Sequence, residues 1–112
     1  MQPADLLYLG HMLDMARKAC ERASELDRDE YELDEDVQLA LTHLVQVIGE
    51  AARHVSAECQ LDLPEIPWRE IIGMRNRIVH DYLGVDEDVV WEVVTGDLPA
   101  LVDTLEQVVP AE

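Results

Sequence analysis

Apolar residues recur along this chain at steps of three and four, the signature of helices packed lengthwise against one another. In the first segment Leu6, Leu9, Leu13, Ala16, Cys20 and Ala23 form one seam, as expected of a helix with a single buried stripe. Pro3 suits the first turn, where its missing N–H costs nothing. The seam fades before Asp29 to Asp36, where six of eight residues are acidic. Crowded like charges disfavour packing, so this run is expected to be a solvated loop or the frayed start of the next helix. A second long helix is expected from about Val37 to Val55, with Val37, Leu41, Leu44, Ile48, Ala51 and Val55 as its stripe. Gly49, Ala51 and Ala52 leave room for a neighbouring helix to come close.

Pro64 and Pro67 break the pattern, because two prolines three apart do not fit inside a helix. Pro67 reads as the start of a third helix, Trp68 to about Leu83, closed by Gly84. Asp86 is placed to cap a short fourth helix containing Val89, Val90, Val93 and Val94, which Gly96 ends. Asp97 would cap the last helix, with Pro99 in its first turn and Leu101, Val102, Leu105, Val108 and Val109 on its buried side. No strand-like alternation competes. The fold class is all-α: an up-down bundle of about five helices in a single domain spanning 1–112.

Charge narrows the function. The 112 residues hold 25 Asp and Glu against 8 Lys and Arg, a formal charge of -17. That excludes a protein that coats nucleic acid non-specifically or adheres to anionic membrane. A polyanionic substrate would have to be met by a local basic site. Cys20 and Cys59 are too few for a disulfide framework and lack CxxC spacing, which points to free thiols in a reducing compartment. The first residues carry no signal-peptide pattern and no apolar run is long enough to span a bilayer, so a cytoplasmic location is expected.

One residue conflicts with the apolar pattern. On an ideal helix Trp68, Ile71, Ile72, Ile78, Val79, Tyr82 and Leu83 share an arc of about 140°, and Arg75 falls near its middle. Glu70, Arg77 and Asp81 lie opposite, where Arg77 and Asp81 would pair in water. Arg75 is therefore expected to point into an interface, where a guanidinium needs a carboxylate partner, a wet cleft or an anion. Asn76 and His80, four apart, stand on the rim of the same stripe, and Tyr82 lies along the helix from Arg75. These four form one polar constellation. His11, His43, His54, His80 and the cysteines lack metal-ligand spacing, and no GxSxG, Gly-rich phosphate loop or dinucleotide fingerprint is present.

The stretch Arg75-Asn76-Arg77-Ile78-Val79-His80-Asp81-Tyr82 resembles the Arg-x4-His-x-Tyr motif of HEPN-domain ribonuclease toxins. Its flanks agree: Ile48-Gly49-Glu50-Ala51-Ala52, the run from Pro64 to Met74, Leu83-Gly84-Val85-Asp86, Val90-Trp91-Glu92 and Asp97-Leu98-Pro99. The similarity is closest to the HepT-like subgroup, whose partner is a minimal nucleotidyltransferase antitoxin of the MntA type. The resemblance implies a metal-independent endoribonuclease without a cofactor, acting on tRNA or mRNA as a homodimer whose two motifs line one cleft. It assigns catalysis to Arg75, His80 and Asn76, and makes Tyr82 the tyrosine that the antitoxin modifies with AMP. His80 would move a proton and Arg75 would grip the scissile phosphate. The alternative is a non-catalytic module that pairs with the nucleotidyltransferase.

Overall fold

The computed structural model describes residues 1–79 and 84–110. Helix α1 (Pro3–Ser24) lies along α3 (Glu35–Arg53), and α8 (Leu98–Val108) packs on α1. Leu9, Met12, Leu13, Ala16 and Ala19 of α1 meet Leu41, Val45, Ile48 and Ala52 of α3 in one core, joined by Leu98, Leu101 and Leu105. Fully burying a large aliphatic side chain contributes about 1.5–3 kcal/mol, so this seam is the main source of cohesion. The expected first and second helices and the buried side of the last are therefore observed, except that Leu6, expected in the first seam, lies exposed near the start of α1 ahead of the core. Among the described residues there is no strand, and the fold is all-α.

The five expected helices correspond to α1, α3, a broken pair α5 (Trp68–Ile72) and α6 (Met74–Ile78), α7 (Glu87–Glu92) and α8. Two short helices are additional: α2 (Arg28–Leu33) and α4 (Ala57–Asp62). The acidic run is thus largely helix rather than loop: Asp29 to Leu33 belong to α2, while Glu35 and Asp36 do open the next long helix, α3. Asp27 and Glu30 cap α2 reciprocally, Asp27 Oδ1 accepting from the Glu30 N–H at 2.8 Å and Glu30 Oε1 from the Asp27 N–H at 3.0 Å. Tyr31 is wholly buried while the carboxylates around it face water.

A second correction concerns Gly96 and Asp97. Gly96 does not end a helix, and Asp97 makes no side-chain cap. The chain instead runs from α7 into α8 through a π-helical turn, Val93–Asp97. Pro99 supplies the reason: it has no N–H for the Thr95 carbonyl, and its ring crowds the preceding turn, so the helix widens there.

The chain ends of α1 and α4 are tied together. The buried Asp5 carboxylate accepts from the Ser56 N–H and the Ser56 Oγ–H, both at 2.8 Å, and from the Gln2 N–H at 3.0 Å. The Ser56 backbone N–H chiefly holds its pKa below the usual carboxylate range, against the opposing effect of burial. No helix of the described residues is long and apolar enough to cross a membrane.

Candidate active site

The site is built on α5 and α6. Trp68, Ile71, Met74 and Ile78 turn inward and are buried, and Trp68 Nε1–H donates to the Leu63 carbonyl at 3.0 Å. The expected close approach to α3 occurs at Gly49. A Cβ there would sit 2.9 Å from the Ile71 carbonyl oxygen, closer than real side chains come. Gly49 therefore lets the α5 backbone rest directly on α3.

The third helix is not continuous to Leu83. α5 closes at Gly73, whose N–H bonds the Arg69 carbonyl at 2.9 Å, and α6 ends where Val79 turns extended, φ -103° and ψ 123°. A projection at 100° per residue loses its meaning across such a break. The inward face therefore carries Met74, which the ideal wheel leaves at the margin, and Arg75 is exposed rather than directed into the core of the chain. A buried Arg75–carboxylate pair within the chain is thereby ruled out among the described residues.

Arg75, Asn76 and Arg77 are all exposed on α6. Arg77 approaches Asp97 of the π-helical turn at 3.9 Å, an exposed pair worth at most about 1 kcal/mol. Its expected partner Asp81 lies outside the described residues, as do His80 and Tyr82. Arg17, Arg28 and Arg53 are each engaged by carboxylates. The side chains of Arg69 and Arg75, like those of Lys18 and Arg22 on α1, make no ion pair or hydrogen bond among the described residues, although acidic residues outnumber basic ones 25 to 8 in this chain. Two guanidinium groups near one another in sequence thus keep their donors available to an external anion.

The connection that follows α6 is pinned at both ends. Val79 and Val85 form an isolated antiparallel bridge, and the Asp86 N–H donates to the Ile78 carbonyl at 2.6 Å. Gly84 has φ +88°, a backbone that side chains with a Cβ rarely adopt. Asp86 caps α7 as expected, its Oδ1 accepting from the N–H groups of Asp88 and Val89 at 3.1 and 3.2 Å. Beside α6 a cavity of about 490 Å³ opens between α5, α6 and α8. Met74 and Leu98 contribute to its walls together with Glu70, Arg77 and Asp97.

The remaining expected features sit apart from this face. His54 stacks on Tyr8 with ring centroids 5.1 Å apart. Among the described residues no three His, Cys, Asp or Glu side chains are grouped to hold a metal ion. Cys20 is half-buried and Cys59 buried, both as free thiols, and burial raises the pKa of each. The sequence reading did not single out Met74, or the contact from Arg77 to Asp97. Both depend on where the helix breaks.

A family model describing HepT-like ribonucleases matches residues 12–108. The chain belongs to the HepT-like ribonuclease family. A protein of Thermococcus cleftensis named as a probable ribonuclease HepT is 33% identical over 94 residues, 84% of this chain and 86% of the relative. A provisionally named RNase of Caldanaerobacter subterraneus is 28% identical over 105 residues, 94% of each chain. Another, from Methanocaldococcus jannaschii, is 29% identical over 94 residues, 84% of this chain and 86% of the relative. No solved structure gives a significant match. Membership of the HepT-like family makes the exposed face of α6, with the residues that follow it, the candidate active site.

Proposed function

We propose that the protein is a metal-independent endoribonuclease toxin that acts as a homodimer, with the α6 faces of two chains lining one RNA-binding cleft. The observation that carries this reading is the exposed Arg75, which stands without an ion pair among the described residues of a chain with a formal charge of -17. An exposed guanidinium without a carboxylate on it is free to take a phosphate, and Arg75 stands beside Asn76 on the helix that leads directly to His80. The RNA supplies its own nucleophile. The ribose 2′-oxygen attacks the scissile phosphorus while its proton passes to a base, and the P–O5′ bond breaks as a proton is delivered to the leaving oxygen. His80 serves this proton traffic, to which an imidazole side chain is suited because it can both take up and give a proton. Arg75 holds the non-bridging oxygens bidentately as charge grows on them, and Asn76 orients His80 or a phosphate oxygen. The products are a 2′,3′-cyclic phosphate and a 5′-hydroxyl.

The same reading gives the toxin a minimal nucleotidyltransferase antitoxin as its partner. Transfer of AMP to the Tyr82 hydroxyl, with release of pyrophosphate from ATP, would add negative charge beside the phosphate-binding group and repel RNA. The decisive experiment is expression of the chain alone, parent beside His80→Ala, with end-group analysis of cellular RNA. New 2′,3′-cyclic phosphate ends with the parent only are expected. Equal ends from the two chains would remove His80 from the mechanism. The overall acidity favours a second reading, a non-catalytic module that lends the nucleotidyltransferase a surface. A folded parent chain that yields no new ends and no growth arrest would favour it.

A further inference from the structure

Tyr31 lies in the most acidic stretch of the chain and is nonetheless wholly buried. Its ring packs against Trp91, with centroids 4.7 Å apart, and packing alone would be served equally by phenylalanine. The hydroxyl needs its own explanation. It donates toward two acceptors of a single residue, the backbone carbonyl of Glu87 and Glu87 Oε2, each at 2.9 Å. Thr42 Oγ1 on α3 approaches the same Oε2 at 3.4 Å. One residue further along, Asp88 is ion-paired with Arg28 of α2. Side chains from α2 and α3 thus converge on the first turn of α7. The phenol remains a neutral donor throughout the physiological range, because burial and the adjacent Glu87 carboxylate both raise its pKa.

The turn so held is the far end of the connection from α6. Glu87 directly follows Asp86, whose N–H bonds the carbonyl of Ile78 at 2.6 Å. Ile78 is wholly buried and is the last residue of α6, the helix that presents Arg75 and Asn76. The Val79–Val85 bridge closes the same junction. A continuous series of contacts therefore runs from the Tyr31 hydroxyl through Glu87 and Asp86 to the base of α6.

We propose that Tyr31 is a positioning residue of the active site, its hydroxyl anchoring the start of α7 so that the two ends of the motif-bearing connection keep a fixed relation to Arg75. The catalytic part of this proposal rests on the ribonuclease reading. Small misplacement at a reacting centre is costly, so fixing the start of α7 against α2 and α3 matters to the residues that flank it. Tyr31 would touch neither RNA nor the reacting atoms.

The test compares the full chain with Tyr31→Phe, which removes one oxygen and keeps the ring. Amide hydrogen exchange at Asp86 is expected to quicken about tenfold, the scale of one buried hydrogen bond. The amides of Met12 and Leu41 in α1 and α3 should exchange as in the parent. In RNA cleavage kcat should fall about tenfold while KM stays within about twofold, since Arg75 still meets the phosphate. Glu87→Gln, which keeps a side-chain acceptor for the phenol, should stay near the parent, and Tyr8→Phe should change neither readout. Glu87→Ala, altering a half-buried residue only, should repeat the pattern more weakly should Tyr31→Phe not fold. Equal acceleration at Met12, Leu41 and Asp86 would reduce Tyr31 to an ordinary contributor to stability. Unchanged exchange at Asp86 would overturn the anchor, and unchanged kcat with faster exchange would overturn its role in the site. A parent chain that does not cleave RNA would overturn the ribonuclease reading instead, and the exchange rates alone would then decide the anchor.

Discussion

The α1–α3 pair and the stretch from Trp68 to Asp86 are built on opposite plans. In α1 and α3 the helices run uninterrupted for 22 and 19 residues, with apolar seams facing each other. Between Trp68 and Asp86 the described helical pieces are five residues each, parted at Gly73 and followed by the extended Val79 and the Val79–Val85 bridge. The first region devotes its side chains to burial. The second buries Trp68, Ile71, Met74 and Ile78 and leaves Arg69, Arg75, Asn76 and Arg77 facing water. Regular packing supplies the platform, and irregular backbone supplies directions that a straight helix could not.

That contrast predicts which substitutions alter activity and which alter stability. The largest effect should come from His80→Ala and Arg75→Ala, each lowering RNA cleavage by about 10²–10⁴-fold. The melting temperature should stay within a degree or two, because the exposed Arg75 side chain makes no bond among the described residues. A large loss of stability in Arg75→Ala would show that it holds the fold. The reverse pattern is expected for Ile48→Ala on α3, with a stability loss of about 2–5 kcal/mol measured by denaturant unfolding. Cleavage per folded molecule should be retained in that variant. Gly49→Ala lies between the two regions. Its new Cβ meets the Ile71 carbonyl, so about 1–3 kcal/mol of stability should be lost, with reduced cleavage as α5 is pushed from α3.

Smaller effects sharpen the boundary further. Because the Asp5 carboxylate titrates lower in the folded chain than in the unfolded one, its stabilisation is present above the ordinary carboxylate pKa of about 3.9. It is lost as pH falls through the folded value. Asp5→Asn should therefore lower stability near neutrality and flatten the acid limb of a melting-temperature profile, with the difference between variants shrinking below about pH 4. Arg77→Ala should change stability by less than about 1 kcal/mol, since its contact with Asp97 is exposed and 3.9 Å long.

Much of this molecule was legible in its sequence. The steps of three and four determined α1, α3 and α8, Pro67 and Asp86 marked where helices start, and the small residues around Gly49 announced a close crossing. The Arg-x4-His-x-Tyr resemblance led to the family that the comparisons establish. What a linear pattern could not supply is the place where a helix stops being a helix. The wheel that put Arg75 inside assumed one rotation from Trp68 to Leu83, and Gly73 and Val79 invalidate it. Likewise the acidity of Asp29 to Asp36 concealed Tyr31, because its partners Glu87 and Trp91 are 56 and 60 positions away. Side-chain periodicity is a local property set by backbone geometry. The partners that bury a tyrosine, widen a turn at Pro99 or leave an arginine unpaired are set by how distant helices pack, and only the tertiary structure decides them.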